Sequence, residues 1–209
     1  MELPQHLKRP RSPSRRPVAV AVTGGIGAGK SEALEAFARH GAAVISSDDI
    51  VHRLLREDAD VKSALLERWS DVLLGADGEI DRARVGEIVF ADPRELRWLE
   101  ELLHPRVVAE YLRWREELAR LPDPPRVCVT EVPLLYEVGG DSHFDVVVVV
   151  TASPEVRVSR HIRPMQDREQ RLLPDSEKAA RADFAYVNDG TRVELDAFVS
   201  DVVARLSAC

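Results

Sequence analysis

Residues 18–31 read VAVAVTGGIGAGKS, a short apolar run followed by a glycine-rich loop that ends in lysine and serine. Gly24, Gly29, Lys30 and Ser31 satisfy the full pattern G-x-x-x-x-G-K-S of a phosphate-binding P-loop. Each part has a physical reason. Glycines let the backbone wrap closely around phosphate oxygens with its N–H groups turned inward. Lys30 then holds the β- and γ-phosphates, Ser31 offers a hydroxyl to Mg²⁺, and the helix that starts here turns its positive dipole end to the same anion. Val18 to Val22 suits a central parallel strand buried on both faces, and Ala33, Leu34, Phe37 and Ala38 recur at helical spacing after the loop. A dinucleotide fingerprint fails, because a motif beginning at Gly25 and Gly27 needs a third glycine where Lys30 stands. A plain glycine turn between strand and helix has no need of Lys-Ser at this place.

Outward from this loop, a chain of 209 residues is long enough for one substantial core, and reads as one domain with insertions. With 44% hydrophobic and 31% charged residues it has the composition of a soluble protein, and its apolar runs are far too short to span a bilayer. Residues 1–17 carry four prolines and five basic residues without an apolar stretch, so they read as a disordered basic tail and not as a secretory signal. Residues 18–209 are then the folded domain. Cys128 and Cys209 lie far apart and have no metal-ligand spacing, which suits a reducing cytoplasmic setting. The net charge of −7 includes that basic tail, so the rest is more acidic still. Such a body does not suit a general nucleic-acid binder, and an anionic substrate has to be met by a local basic cluster.

Strand and helix patterns alternate from Val18 onward. Gly41 ends the first helix as a C′ glycine does, Ala42 to Ile45 makes a second strand, and Ile50, Val51, Leu54 and Leu55 mark the next helix. Residues of about 60–120 are helical by pattern, with breaks at Gly75 to Gly78, Asp92-Pro93 and His104-Pro105, where proline is expected to restart a helix. This is more helix than one crossover requires, and it reads as an inserted helical subdomain. Strands return at Arg126 to Thr130, Phe144 to Val150 and Phe184 to Val187, and a final helix carries Val193, Leu195, Phe198, Val202 and Leu206. The expected fold is therefore α/β, a P-loop NTPase-type parallel sheet of about five strands with helices on both faces. Residues of about 160–181 read as an arginine-rich lid.

Several polar groups admit two readings. Asp48, after the second strand, sits at the carboxyl edge where open α/β sheets bind ligands. It is either a base or Mg²⁺ partner, or the cap of the following helix, with Asp49 as the fallback carboxylate. Glu131, Pro133 and Glu137 follow the third strand, where an acidic residue either supports Mg²⁺ or ends a solvated strand. Arg157, Arg160, Arg163, Arg168 and Arg171 concentrate positive charge, as a solvated face or as a lid that closes on the transferring group. His104 is structural or substrate-facing, and Asn188 a turn residue or a nucleotide contact.

VTGGIGAGKS, VISSDDIVHRLL, LLHP, VPLLYE and ARADF followed by VNDG occur in an order that resembles the dephospho-CoA kinase family, from Val18 to about Leu206. The resemblance implies transfer of the γ-phosphoryl group of ATP to the ribose 3′-hydroxyl of dephospho-CoA, with Mg²⁺ and without nucleic-acid or membrane partners. It implies that Gly25, Gly27, Ala28, Gly29, Lys30, Ser31 and Glu32 bind ATP, with Asn188 near the adenine. Lys30, Asp48 and Arg160 become the catalytic set, Ser31 and Glu131 the metal partners, and Asp48, His104, Arg106, Pro133 and Glu137 the acceptor site. The lid departs from the family's pattern: Pro164 stands where a second arginine is expected, and Leu172 replaces a usual glutamine. Alternatives are a related small-molecule or nucleoside kinase, or a non-catalytic nucleotide-binding regulator descended from one.

Overall fold

The computed structural model describes residues 16–75, 77–160 and 172–208. Most of the basic tail and the central part of the expected lid, with Arg163, Pro164, Arg168 and Arg171, lie outside the described residues.

The chain divides into two compact units, the first made of residues up to Ser46 and from Trp114 onward, the second of Ser47–Arg113. The first unit holds a five-stranded, wholly parallel sheet. Its strands are β1 (Val18–Thr23), β2 (Ala43–Ser46), β3 (Val127–Glu131), β4 (Val146–Thr151) and β5 (Phe184–Val187), in the spatial order β2-β3-β1-β4-β5. β1 is central, between β3 and β4. Valine dominates because strands buried on both faces need branched apolar side chains on each side of the pleat. The alternation divides them: Val20, Val22, Val146, Val148 and Val150 enter one core cluster, and Ala21, Val147 and Val149 the other.

The first cluster is closed by α1 (Lys30–Arg39) and by the C-terminal helix, Arg192–Ser207, through Ala33, Phe37, Leu195, Val199 and Val202. α1 ends as its sequence predicts. Gly41 has φ +82°, its N–H donates to the Ala38 carbonyl, and that of Ala42 donates to Phe37, which together form a Schellman cap. The second cluster is covered by Leu135 and Tyr136, with Leu173, Ala179 and Ala182 packed against it.

The second unit is helical: α2 (Ser47–Glu57), α3 (Ala59–Trp69), α4 (Arg82–Ala91) and most of α5 (Pro93–Ala119), inside which the division falls. It takes in α2, which lies ahead of the insertion of about 60–120 that the sequence pattern marks. Two expectations change here. α2 begins at Ser47, so Asp48 lies in its first turn and not at its cap. Pro105 does not restart a helix but sits inside the continuous α5. A proline in a helix interior forfeits a hydrogen bond and costs about 3 kcal/mol. The buried stripe Leu99, Leu103, Val107 and Tyr111 runs through it at a four-residue spacing and holds the helix together.

In chain order after β4 come α6 (Pro154–Ser159), α7 (Asp175–Arg181) and α8 (Arg192–Ser207). Thr191 and Glu194 form a reciprocal capping box on α8.

Candidate active site

The loop between β1 and α1 leaves the carboxyl edge of the sheet's central strand. Two of its glycines are required by close approach. A Cβ on Gly24, φ +144°, would overlap the Val150 carbonyl oxygen of β4, and one on Gly29, φ +94°, would overlap the Asn188 side chain. Gly29 precedes α1 in a left-handed conformation and no side chain caps the helix. The first N–H groups of α1 therefore have no capping oxygen from a side chain, an arrangement suited to an anion. Lys30 Nζ donates to the Gly25 carbonyl at 3.0 Å, folded over its own loop.

Other elements of the same unit converge on this loop. Arg160, at the end of α6, donates to the Gly27 carbonyl at 3.0 Å and to the Asn188 carbonyl at 2.9 Å. Both acceptors are neutral, so among the described residues its hydrogen bonds leave the guanidinium charge uncompensated. Asn188 is buried just past β5, and its Nδ2 donates to the Ala28 carbonyl at 2.9 Å. Its own N–H donates to Thr151, and the Asp189 carboxylate accepts the Ser153 N–H ahead of α6. The VNDG turn is thus a buried brace between β4, β5 and the phosphate loop.

Glu131 is buried at the end of β3, in register with Val22 of β1 and Ser46 of β2. That register puts its carboxylate position beside the strand from which the phosphate loop departs. The Thr23 hydroxyl donates to the Pro133 carbonyl at 3.3 Å and ties the start of the loop to the segment after β3. Glu32, in the first turn of α1, faces Arg192 of α8 at 3.3 Å. Glu137 is drawn inward: its Oε1 lies 2.7 Å from Nζ of the fully buried Lys178 and accepts the Leu173 N–H at 3.0 Å.

The remaining expected residues belong to the helical unit. Asp48 and Asp49 are exposed in the first turn of α2, whose N-terminal end favours negative charge. His104 is half-buried in α5, and Arg106 Nη1 donates to the Leu102 carbonyl of its own helix at 2.7 Å. Among the described residues no cluster of three or more His, Cys, Asp or Glu could hold a metal unaided. A hydroxyl and a carboxylate with room for phosphate oxygens and water are what Mg²⁺ prefers, so Ser31 and Glu131 fit it by donor type.

The sequence reading missed Lys178 and Asp175. Asp175 accepts from Arg157 Nη2, and a Cβ built on Gly25 would stand 2.8 Å from its Oδ2. No local pattern marks either residue, since each partner lies on a distant element.

A dephospho-CoA kinase family model matches residues 18–194. A dephospho-CoA kinase from Streptomyces avermitilis is 39% identical over 195 residues, covering 90% of this chain and 93% of its own. One from Protochlamydia amoebophila is 34% identical, covering 90% and 95%. Among solved structures, the dephospho-CoA kinase of Campylobacter jejuni superposes with a TM-score of 0.65 at 26% identity, covering 91% of this chain and 98% of its own. TT1252 from Thermus thermophilus gives 0.72 at 29%, with the same two coverages. With its phosphate loop, five-stranded parallel sheet and near-complete alignment, the chain belongs to the dephospho-CoA kinase family.

Proposed function

We propose that the protein transfers the γ-phosphoryl group of ATP to the ribose 3′-hydroxyl of dephospho-CoA, giving CoA and ADP. The observation that carries this reading is the family match over residues 18–194, laid on a sheet whose central strand delivers a complete phosphate loop.

Phosphoryl transfer asks a protein mainly for position and charge. Lys30 donates to the Gly25 carbonyl, and phosphate oxygens would add the attraction of opposite charges that this neutral acceptor does not supply. Arg160 exchanges two neutral carbonyls for the transferring group. The amides of Gly25, Gly27, Ala28 and Gly29 cradle the phosphates, and Glu32 follows in the first turn of the helix. Asn188 serves the nucleotide by bracing Ala28. Ser31 and Glu131 would hold Mg²⁺, which would supply positive charge to offset that of the phosphates. Asp48 orients or deprotonates the acceptor hydroxyl. His104 and Arg106, on the helical unit, and Pro133, after β3, serve the acceptor; Glu137 acts through the ion pair described below.

Within the expected lid of about 160–181, Arg160 is the group that turns to the transferring phosphoryl, whereas Leu173, Lys178 and Ala179 pack into the sheet unit, so α7 belongs to the body. The helical insertion binds the acceptor, and no nucleic acid or membrane takes part. No helix among the described residues is long and apolar enough to cross a membrane. The buried free thiol of Cys128 agrees with a cytoplasmic setting.

ADP release measured with dephospho-CoA, with nucleosides and with no acceptor tests the assignment. Turnover should require dephospho-CoA, and Lys30→Ala should nearly abolish it while thermal melting stays close to that of the parent. Equal turnover on a nucleoside, or a folded Lys30→Ala protein with normal rates, would overturn it.

A further inference from the structure

Lys178 is fully buried and Glu137 nearly so, with Nζ and Oε1 2.7 Å apart. Replacing such a pair by packed apolar groups is often neutral or stabilising, so stability gives a weak reason for its presence. Its geometric effect is definite. Through one oxygen Glu137 accepts the Leu173 N–H, just ahead of α7, and attracts the Lys178 ammonium inside it by charge, for Nζ, 2.7 Å away, makes no well-directed hydrogen bond among the described residues. The other oxygen, Oε2, is buried without a hydrogen-bond partner among the described residues. α7 is thereby fixed to the segment after β3 at two points.

Asp175 opens α7 three residues before Lys178, a spacing that brings the two to neighbouring positions on one side of a helix. Its carboxylate accepts from Arg157 Nη2, while Arg157 Nε donates to the Ala152 carbonyl at 3.0 Å. Both charged ends lie against the phosphate loop. A Cβ on Gly25 would stand 2.8 Å from Asp175 Oδ2 and 2.9 Å from Arg157 Nη2. Gly25 does not have a positive φ, so a side chain there would meet no backbone strain but would displace the ends of the Asp175 and Arg157 side chains. The carbonyl of that glycine is the one that receives Lys30 Nζ.

We propose that Asp175 is a positioning residue for phosphoryl transfer: with α7 fixed by the Glu137–Lys178 pair, it holds the Arg157 guanidinium against Gly25 and so keeps the phosphate loop in the shape that aims Lys30. The inference rests on the ATP-dependent reading above. Arg157 thus differs from Arg160. Its charge is matched by a carboxylate and it acts on the loop, whereas Arg160 keeps its charge for the ligand.

The test uses the full chain, with Asp175→Asn, Lys178→Met and the double variant. ATP affinity is measured by calorimetry without acceptor, and kcat and KM with dephospho-CoA. Asp175→Asn should weaken ATP binding and lower kcat/KM for ATP by about tenfold or more, the scale of a slightly misplaced loop, with KM for dephospho-CoA and the melting temperature nearly unchanged. Asp175→Glu should restore part of the loss. Lys178→Met should give the same kinetic change with a lower melting temperature. The double variant should be no worse kinetically than Lys178→Met, because both act through one chain of contacts. Normal ATP affinity and kcat/KM in a folded Asp175→Asn protein overturn the proposal, whether or not Lys178→Met folds. A parent that binds ATP but ignores dephospho-CoA overturns the acceptor assignment instead, and the calorimetric shift still decides the role of Asp175.

Discussion

Asn188 is more than a turn residue, because its side-chain amide reaches the Ala28 carbonyl of the phosphate loop. Removing it leaves a buried acceptor without its donor, which costs about 1–3 kcal/mol. Asn188→Ala should therefore lower stability by that amount and weaken ATP binding. Asn188→Asp, which turns an acceptor oxygen toward the Ala28 oxygen, should be at least as harmful. Urea unfolding beside ATP titration checks both, and an Asp variant as stable as the parent would refute the brace. Asp48 poses a different question. In the first turn of α2 its charge contributes about 0.3–1 kcal/mol through the helix dipole, a small term that Asn would lose. A base or Mg²⁺ partner contributes far more to rate: Asp48→Asn should then lower kcat by about 10²-fold or more, with ATP binding little affected. Steady-state kinetics and melting on one preparation separate the two, and unchanged kcat would transfer the role to Asp49 or Glu131.

Among elements, those that pack on both sides were legible in the sequence, and those defined by a distant partner were not. β1 and β4 read directly from runs of valine because both faces of a central strand are apolar, and the glycine at position 41 marked the end of α1 correctly. Pro105 misled, since a local rule for proline yields to a buried stripe that continues across it. The P-loop residues were legible because the whole motif lies in one stretch. The pairs Glu137–Lys178 and Arg157–Asp175 join separate elements, and nothing in either local pattern requires the contact. Phe37 measures how firmly α1 is held. It is fully buried between the sheet and α8, so Phe37→Ala should cost about 3–5 kcal/mol by lost transfer energy and cavity formation. Urea unfolding checks this, and a loss below about 1 kcal/mol would mean that α1 can collapse onto the sheet without it.

At the scale of the molecule, pH acts on the two units through different groups. In the helical unit, hydrogen bonds from Arg94 pull the Asp92 carboxyl down to about 2, and Arg68 and Trp69 lower Glu95. In the sheet unit, Thr191 lowers Glu194, and Arg39 and His40 lower Asp196. A carboxylate depressed on folding contributes stability that is present above its ordinary value, here 3.8 or 4.5, and is lost as pH falls toward its folded value. Glu194 is exposed and the other three are only half-buried, so solvent screens each group and each effect is small. On the alkaline side the cause is burial in the sheet unit, which pushes the Cys128 thiol from 9.0 up to about 11 and the Tyr136 hydroxyl from 10.0 up to about 12. An acid kept neutral by folding contributes nothing to the pH dependence below its unfolded value and costs stability as pH rises from there toward the folded one. Urea midpoints should therefore be level from about pH 5 to 9, fall gently toward pH 2, and fall steeply above pH 9. Cys128→Val removes the thiol and keeps an apolar, branched side chain in β3. Normalised to its own midpoint at pH 7, that variant should stay level to about pH 10, where Tyr136 begins to titrate in the unfolded chain. If parent and variant decline together from pH 9, the thiol is not the group responsible, and the alkaline limb belongs to other ionisations of the sheet unit.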